Sequence, residues 1–117
     1  MQINGTIKQW LESFGKPVAD TAFPPRDGKG RPNKITVPFI VFIDNANTDG
    51  SDDCNLFTIH DLTIEYYTNT SNTGDFDDFL YDSGLHFERS RQWLPSEQMF
   101  MTVYDIVDFI ITKERID

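Results

Sequence analysis

The sequence predicts an α+β domain: a mainly antiparallel four-stranded sheet with two helices packed on it, in the order helix, strand, strand, helix, strand, strand. Three observations predict it. Leu62, Ile64 and Tyr66 alternate with Thr63, Glu65 and Tyr67, the period-two pattern of a half-buried strand. Pro38–Ile43 (PFIVFI) is an unbroken apolar run of strand length. Ile3, Ile7, Trp10, Leu11 and Phe14, and later Phe76, Phe79 and Leu80, recur at helical spacing.

The first helix is predicted over about Asn4 to Phe14, ended by Gly15 and Pro17. From Pro24 to Thr36 the chain has three prolines, two glycines and one large apolar side chain, Ile35, so this stretch reads as a mobile loop. Pro38–Ile43 follows as a central strand, with Pro38 at its first position, where a missing N–H costs least. Asp44 to Asn55 is turn chemistry throughout and joins this strand to the next as a long acidic hairpin loop, which implies antiparallel pairing.

The next strand, Phe57 to Thr68, is the one around which the others are expected to pack. Its first half is out of phase with its second, because Phe57 and Ile59 are odd-numbered whereas the apolar residues from Leu62 onward are even. A bulge or bend near His60 and Asp61 is predicted. The second helix carries Asp75, Asp77 and Asp78 in its first turn, where the helix dipole favours acids, and Gly84 fits its end. Phe87–Leu94 alternates in the mixed manner of an edge strand, and Pro95 and Ser96 turn the chain. Glu97–Thr112 is rich in β-branched and aromatic residues and is predicted as one long strand.

The 117 residues suffice for one domain with one core, filled by 38% hydrophobic and 14% aromatic residues. The apolar runs are too short for a membrane-spanning helix, and the N-terminus lacks a signal-peptide layout, so a soluble protein made in the cytosol is expected. The lone Cys54 excludes an intrachain disulfide and reads as a loop thiol without a role.

The net charge of −9 argues against the basic footprint of a nucleic-acid binder. Between Ile35 and Glu88 there is no Lys or Arg, whereas Arg26, Lys29, Arg31 and Lys34 crowd one short stretch. An acidic body with a basic arm follows, a pattern that serves solubility or directs self-association.

No motif marks catalysis, a cofactor or a metal. Asn45–Gly50 has oxygen side chains at alternate positions like the start of an EF-hand loop, but the twelfth position is Leu56, where a bidentate Glu is required, so an ordinary acidic turn is expected. His60 and Asp61 are adjacent on a strand, point to opposite faces and form no local acid–base pair. His86 has no nearer partner, and there is no nucleophile elbow, phosphate-cradling loop or HExxH. The aromatic residues read mostly as core, with one ring of the Tyr66–Tyr67 pair available to a partner.

Taken together, GKPVA (Gly15–Ala19) after a short helix, Phe23, PFIVF (Pro38–Phe42), LTIEYYT (Leu62–Thr68), a helix with Phe79 and Leu80, and PSEQMFMTVY (Pro95–Tyr104) resemble the tail-completion, or tail-terminator, proteins of long-tailed bacteriophages. The resemblance covers most of the chain and is carried by the order and spacing of these segments. It implies a non-enzymatic virion protein that closes a homohexameric ring at the head-proximal end of the tail tube and is assembled in the host cytoplasm. Its partners would be the major tail-tube protein and the head–tail connector, with DNA passing through the lumen without specific binding. The loops that depart most from the pattern supply the expected intersubunit or partner contacts, Arg26, Lys29, Arg31 and Lys34 in one and Asp44, Asp49, Asp52 and Asp53 in the other. Two other classes fit the same composition: a head-side adaptor or stopper of the connector, and a small acidic binding or inhibitor module.

Overall fold

The computed structural model describes residues 1–25, 29–32, 35–45 and 57–113. Ten elements follow in order: β1 (Gln2–Asn4), α1 (Ile7–Glu12), β2 (Val18–Asp20), β3 (Phe39–Asp44), β4 (Phe57–His60), β5 (Leu62–Thr68), α2 (Gly74–Asp82), β6 (Phe87–Leu94), β7 (Met99–Ile106) and β8 (Ile110–Lys113). They form two sheets, a five-stranded one ordered β2-β3-β5-β7-β6 and a three-stranded one ordered β1-β8-β4. Both are mixed, since β2 runs parallel to β3 and β1 parallel to β8. The expected four-stranded antiparallel sheet is therefore incorrect, although both helices are present.

The difference arises at two points in the chain. The predicted strand Phe57–Thr68 breaks at Asp61, so that β4 lies in the small sheet and β5 at the centre of the large one. The predicted strand Glu97–Thr112 breaks likewise, with β7 on β5 and β8 on β4. Between the pairs His60↔Ile110 and Thr63↔Asp105, the first strand has two residues, Asp61 and Leu62, and the second has four, Ile106 to Phe109. Extra residues on one strand of an antiparallel pair bend it and increase its twist. Of the two out-of-phase apolar residues that suggest the bend, Phe57 and Ile59, Ile59 is half exposed, and Thr58 and His60 beside it are partly buried.

Residues too short to carry a periodic signal make up the remaining differences. Ile3 belongs to β1, which docks on β8, and α1 begins only at Ile7. Thr6 caps α1: its hydroxyl accepts from Gln9 N–H at 3.1 Å, and Gln9 Oε1 accepts from Thr6 N–H at 3.0 Å. Gly5, at φ 104°, makes the turn into the cap; a Cβ there would lie 2.6 Å from Gln9 Oε1. The three residues of β2 continue the large sheet beyond β3.

Both helices contribute to one core with the same face of the large sheet. Ile7 and Leu11 of α1 and Phe76 and Leu80 of α2 join Ile40, Phe42, Ile64, Tyr66 and Tyr104. Phe76 is fully buried, with ring centroids 5.0 Å from Phe14 and Tyr66 and 5.1 Å from Tyr104. The acids of α2 do more than match the helix dipole. Tyr66 Oη donates to Asp75 at 3.2 Å and Tyr104 Oη to Asp77 at 2.5 Å, while Asp77 also pairs with Arg89 of β6. Arg91 donates to Thr73, before α2, at 2.7 Å and to Thr102 of β7 at 3.1 Å. The start of α2 is thus held to three strands by polar bonds at the margin of an apolar core.

Truncating Phe76 to Ala removes the hub of this cluster and should cost about 3–5 kcal/mol in urea unfolding, read as a lower midpoint at unchanged slope. The hydroxyls of Tyr66, Tyr67 and Tyr104 are raised above the ordinary tyrosine range by burial and by the carboxylates they face. A folded-state value above the unfolded one gives stability that is full below pH about 10 and lost as pH rises through the folded value. Absorbance titration should therefore show these phenols ionising late, in step with loss of the near-ultraviolet dichroism; early ionisation in a folded chain would contradict the packing.

Candidate functional site

The bend brings together three side chains from three strands. His60, at the end of β4, places Nδ1 2.5 Å from Asp44 Oδ2 at the end of β3, and Nε2 2.7 Å from Thr112 Oγ1 in β8. Asp44 also accepts the Asp61 backbone N–H at 3.3 Å. The carboxylate can only accept, so Nδ1 carries the proton towards it. The three residues lie at a cleft of about 1290 Å³, with the turn into α1, Asp20, Phe42 and Thr58 along its walls.

Carboxylate, imidazole and hydroxyl stand here in the order used for acyl transfer, in which a base activates a hydroxyl nucleophile. The hydroxyl is nonetheless enclosed: Thr112 is 5% exposed and sits in the middle strand of the small sheet, between β1 and β4. What the arrangement does in this position is tie the two sheets across the bend, since Asp44 belongs to the large sheet and His60 and Thr112 to the small one. A second tie lies on the far side of the bend, where Asp108 accepts the His86 backbone N–H at 2.8 Å and faces its ring at 2.9 Å. These contacts, the backbone one foremost, hold the Asp108 carboxyl below the usual carboxylate range.

The His60–Asp44 pair was not read from the sequence, where only Asp61 stood next to His60. The available signal was the hairpin: antiparallel pairing sets Asp44 opposite Leu62, two residues from the imidazole. Asp44 accordingly ends β3, one residue beyond the predicted strand, instead of opening the loop. Of the other expected contact residues, Lys29 and Arg31 are exposed, whereas Arg26, Lys34, Asp49, Asp52 and Asp53 lie outside the described residues, as does Cys54. Most of the EF-hand-like loop lies outside them too. Among the described residues no cluster of His, Cys, Asp or Glu could hold a metal ion.

The large sheet presents a second feature. The cross-strand register puts Ile40, Phe42, Ile64, Tyr66, Thr102 and Tyr104 on the helix side, and Phe39, Val41, Thr63, Glu65, Tyr67, Met101, Val103 and Asp105 on the other. Glu88, Ser90 and Gln92 of β6 share that second side. It therefore carries Glu65, Glu88 and Asp105 and, on its strands, no Lys or Arg. The carboxylates are partly ordered: Glu65 accepts the Tyr67 hydroxyl at 2.9 Å, and Asp105 the Thr63 hydroxyl at 3.1 Å. Among the described residues, no helix is long and apolar enough to cross a membrane.

Comparisons with protein-family models, with curated proteins and with solved structures find no match to this chain.

Replacing His60 by Leu takes from Asp44 and Thr112 the partner they share and should cost about 1–3 kcal/mol, measured by urea unfolding. Hydrogen exchange should locate the effect, with protection lost first in β4 and β8 and retained in β5 and β7.

Proposed function

We propose that this chain is a structural, non-enzymatic subunit of a bacteriophage tail, one that closes the head-proximal end of the tail tube as a ring and provides the joint to the head connector. The observation that carries the proposal is the side of the large sheet turned away from both helices, with Glu65, Glu88 and Asp105 and no basic residue on its strands. Such a surface repels a polyanion, so a ring lined with it lets DNA pass without holding it. The resemblance of the segment order to tail-terminator proteins supports the same reading. The Asp44–His60–Thr112 tie fits it as well, as a brace between two sheets that must keep their angle in a loaded assembly. The ring, taken as a hexamer, would meet the tail-tube protein on one side and the connector on the other, and would be located in the virion.

Purified protein, alone and mixed with the tail-tube protein from the same genome, should be measured by light-scattering mass and negative-stain microscopy. Rings, or tubes capped at one end, are expected. A monomer at all concentrations that ignores tubes would overturn the reading. Binding to a head-side connector alone would favour the adaptor class, and tight binding of a basic protein by the monomer the acidic inhibitor.

A further inference from the structure

The two edges of the five-stranded sheet are complementary to each other. One edge is β6, eight residues long and exposed along all but its two ends, with no proline and, among the described residues, nothing paired beyond it. Edge strands of this length are ordinarily shortened, bulged or covered. The opposite edge is β2, also paired on one side only among the described residues.

Strand directions fix how these edges would meet. β2 runs with β3, β5 against it, β7 with it again and β6 against it. If one copy's sheet continues into the next, β6 and β2 are therefore antiparallel. The ladders fix which residues face outward. Pro17 O accepts from Ile40 N–H and Phe42 O from Thr21 N–H, so Pro17, Ala19 and Thr21 turn their peptide groups to β3, and Val18 and Asp20 turn theirs to the open side, where Asp20 O accepts Ala22 N–H at 2.7 Å and keeps its second lone pair. On β6, His86 O accepts from Val107 N–H, so the even-numbered residues bond β7, and Arg89, Arg91 and Trp93 turn their peptide groups outward.

Side chains then select the register. Val18 and Asp20 are opposite Ile40 and Phe42, and Arg91 and Trp93 opposite Thr102 and Phe100, so all four lie on the helix side. Setting Asp20 opposite Arg91 puts carboxylate against guanidinium and Val18 against the half-exposed Trp93 ring. Shifting by two residues would set Asp20 against Arg89, whose charge already meets the Asp77 carboxylate, whereas the groups that Arg91 meets, Thr73 and Thr102, are neutral hydroxyls. Pairing β6 with β6 of a second copy fails by the same parity, because registers centred on this strand oppose Arg89 or Arg91 to another arginine.

We propose that a second copy of this chain is the partner of β6: subunits join head to tail, β6 of one antiparallel to β2 of the next, with Asp20 opposite Arg91 and Val18 opposite Trp93. A heterologous contact of this kind generates a ring or an open filament and never a closed two-fold dimer. The proposal rests on the ring reading above and specifies its joint.

The test uses the full chain with Cys54→Ser, Asp20→Cys and Arg91→Cys, oxidised with copper phenanthroline under the conditions that give assemblies. A ladder of disulfide-linked multimers extending to the ring size is expected, with neither single-cysteine variant giving it. The reversal Asp20→Arg, at an exposed position outside the core, should weaken assembly while leaving the thermal transition of the monomer unchanged. Rings that form but do not link, or that tolerate Asp20→Arg, would overturn the joint and leave the ring reading standing. A covalent dimer from Arg91→Cys alone would overturn it in favour of a two-fold contact. No assembly of the parent chain, with or without tail tubes, would overturn both.

Discussion

The antiparallel pairing of residues 57–68 with residues 99–113 is the constraint on which the rest of the molecule depends. Were it a straight ribbon, the fold would be one sheet with helices on it. The two additional residues on the second strand, between Ile106 and Phe109, prevent that. They turn the ribbon so that its halves enter different sheets, and each half then recruits its own neighbours: β5 and β7 gain β3 and β6, β4 and β8 gain β1. A bend without support would cost backbone hydrogen bonds and leave polar groups to water. Here side chains supply the support, with Asp44, His60 and Thr112 on one side and His86 with Asp108 on the other.

The same constraint explains the polarity of the large sheet. With both helices contributing to the core on one face, the opposite face has no described helix above it, and its residues alternate out of the core by the strict two-residue period. That face can therefore carry carboxylates at Glu65 and Asp105 without desolvating them deeply, while the helix side uses its carboxylates, Asp75 and Asp77, to receive tyrosine hydroxyls at the core margin. One sheet thus separates two placements of negative charge: carboxylates on the side without a described helix and carboxylates that anchor α2 on the other.

Local pattern was most informative where an element was long enough to show its period. Leu62–Thr68, Phe39–Asp44, α2 with its acids and Gly84, and Phe87–Leu94 as an edge strand were all readable, because each is long enough to show its own pattern: alternating burial in the first, a continuous apolar run in the second, Phe76 and Leu80 buried at helical spacing in the third and exposure along all but the ends in the fourth. β1 and β2, three residues each, have no period to read and exist only because a neighbouring strand offers free peptide groups. The Thr6–Gln9 capping box was a legible start signal for α1, and the helical spacing of Ile3 concealed it. At the site, His60 and Asp61 were visible as a titratable neighbour pair, but the working partner of the imidazole comes from sixteen residues away across a hairpin.

By itself, then, the sequence determined the types of the long elements, the antiparallel pairing of the two strongest strands, the existence of a bend near Asp61 and the segregation of acid from base, because each is a property of neighbouring residues or of totals. The tertiary structure decided the division into two sheets, the parallel edges, the union of Asp44 with His60 and Thr112, and which carboxylates share a face. Those depend on register, and register is set by pairing between segments far apart in the chain, where a shift of one residue exchanges inside for outside.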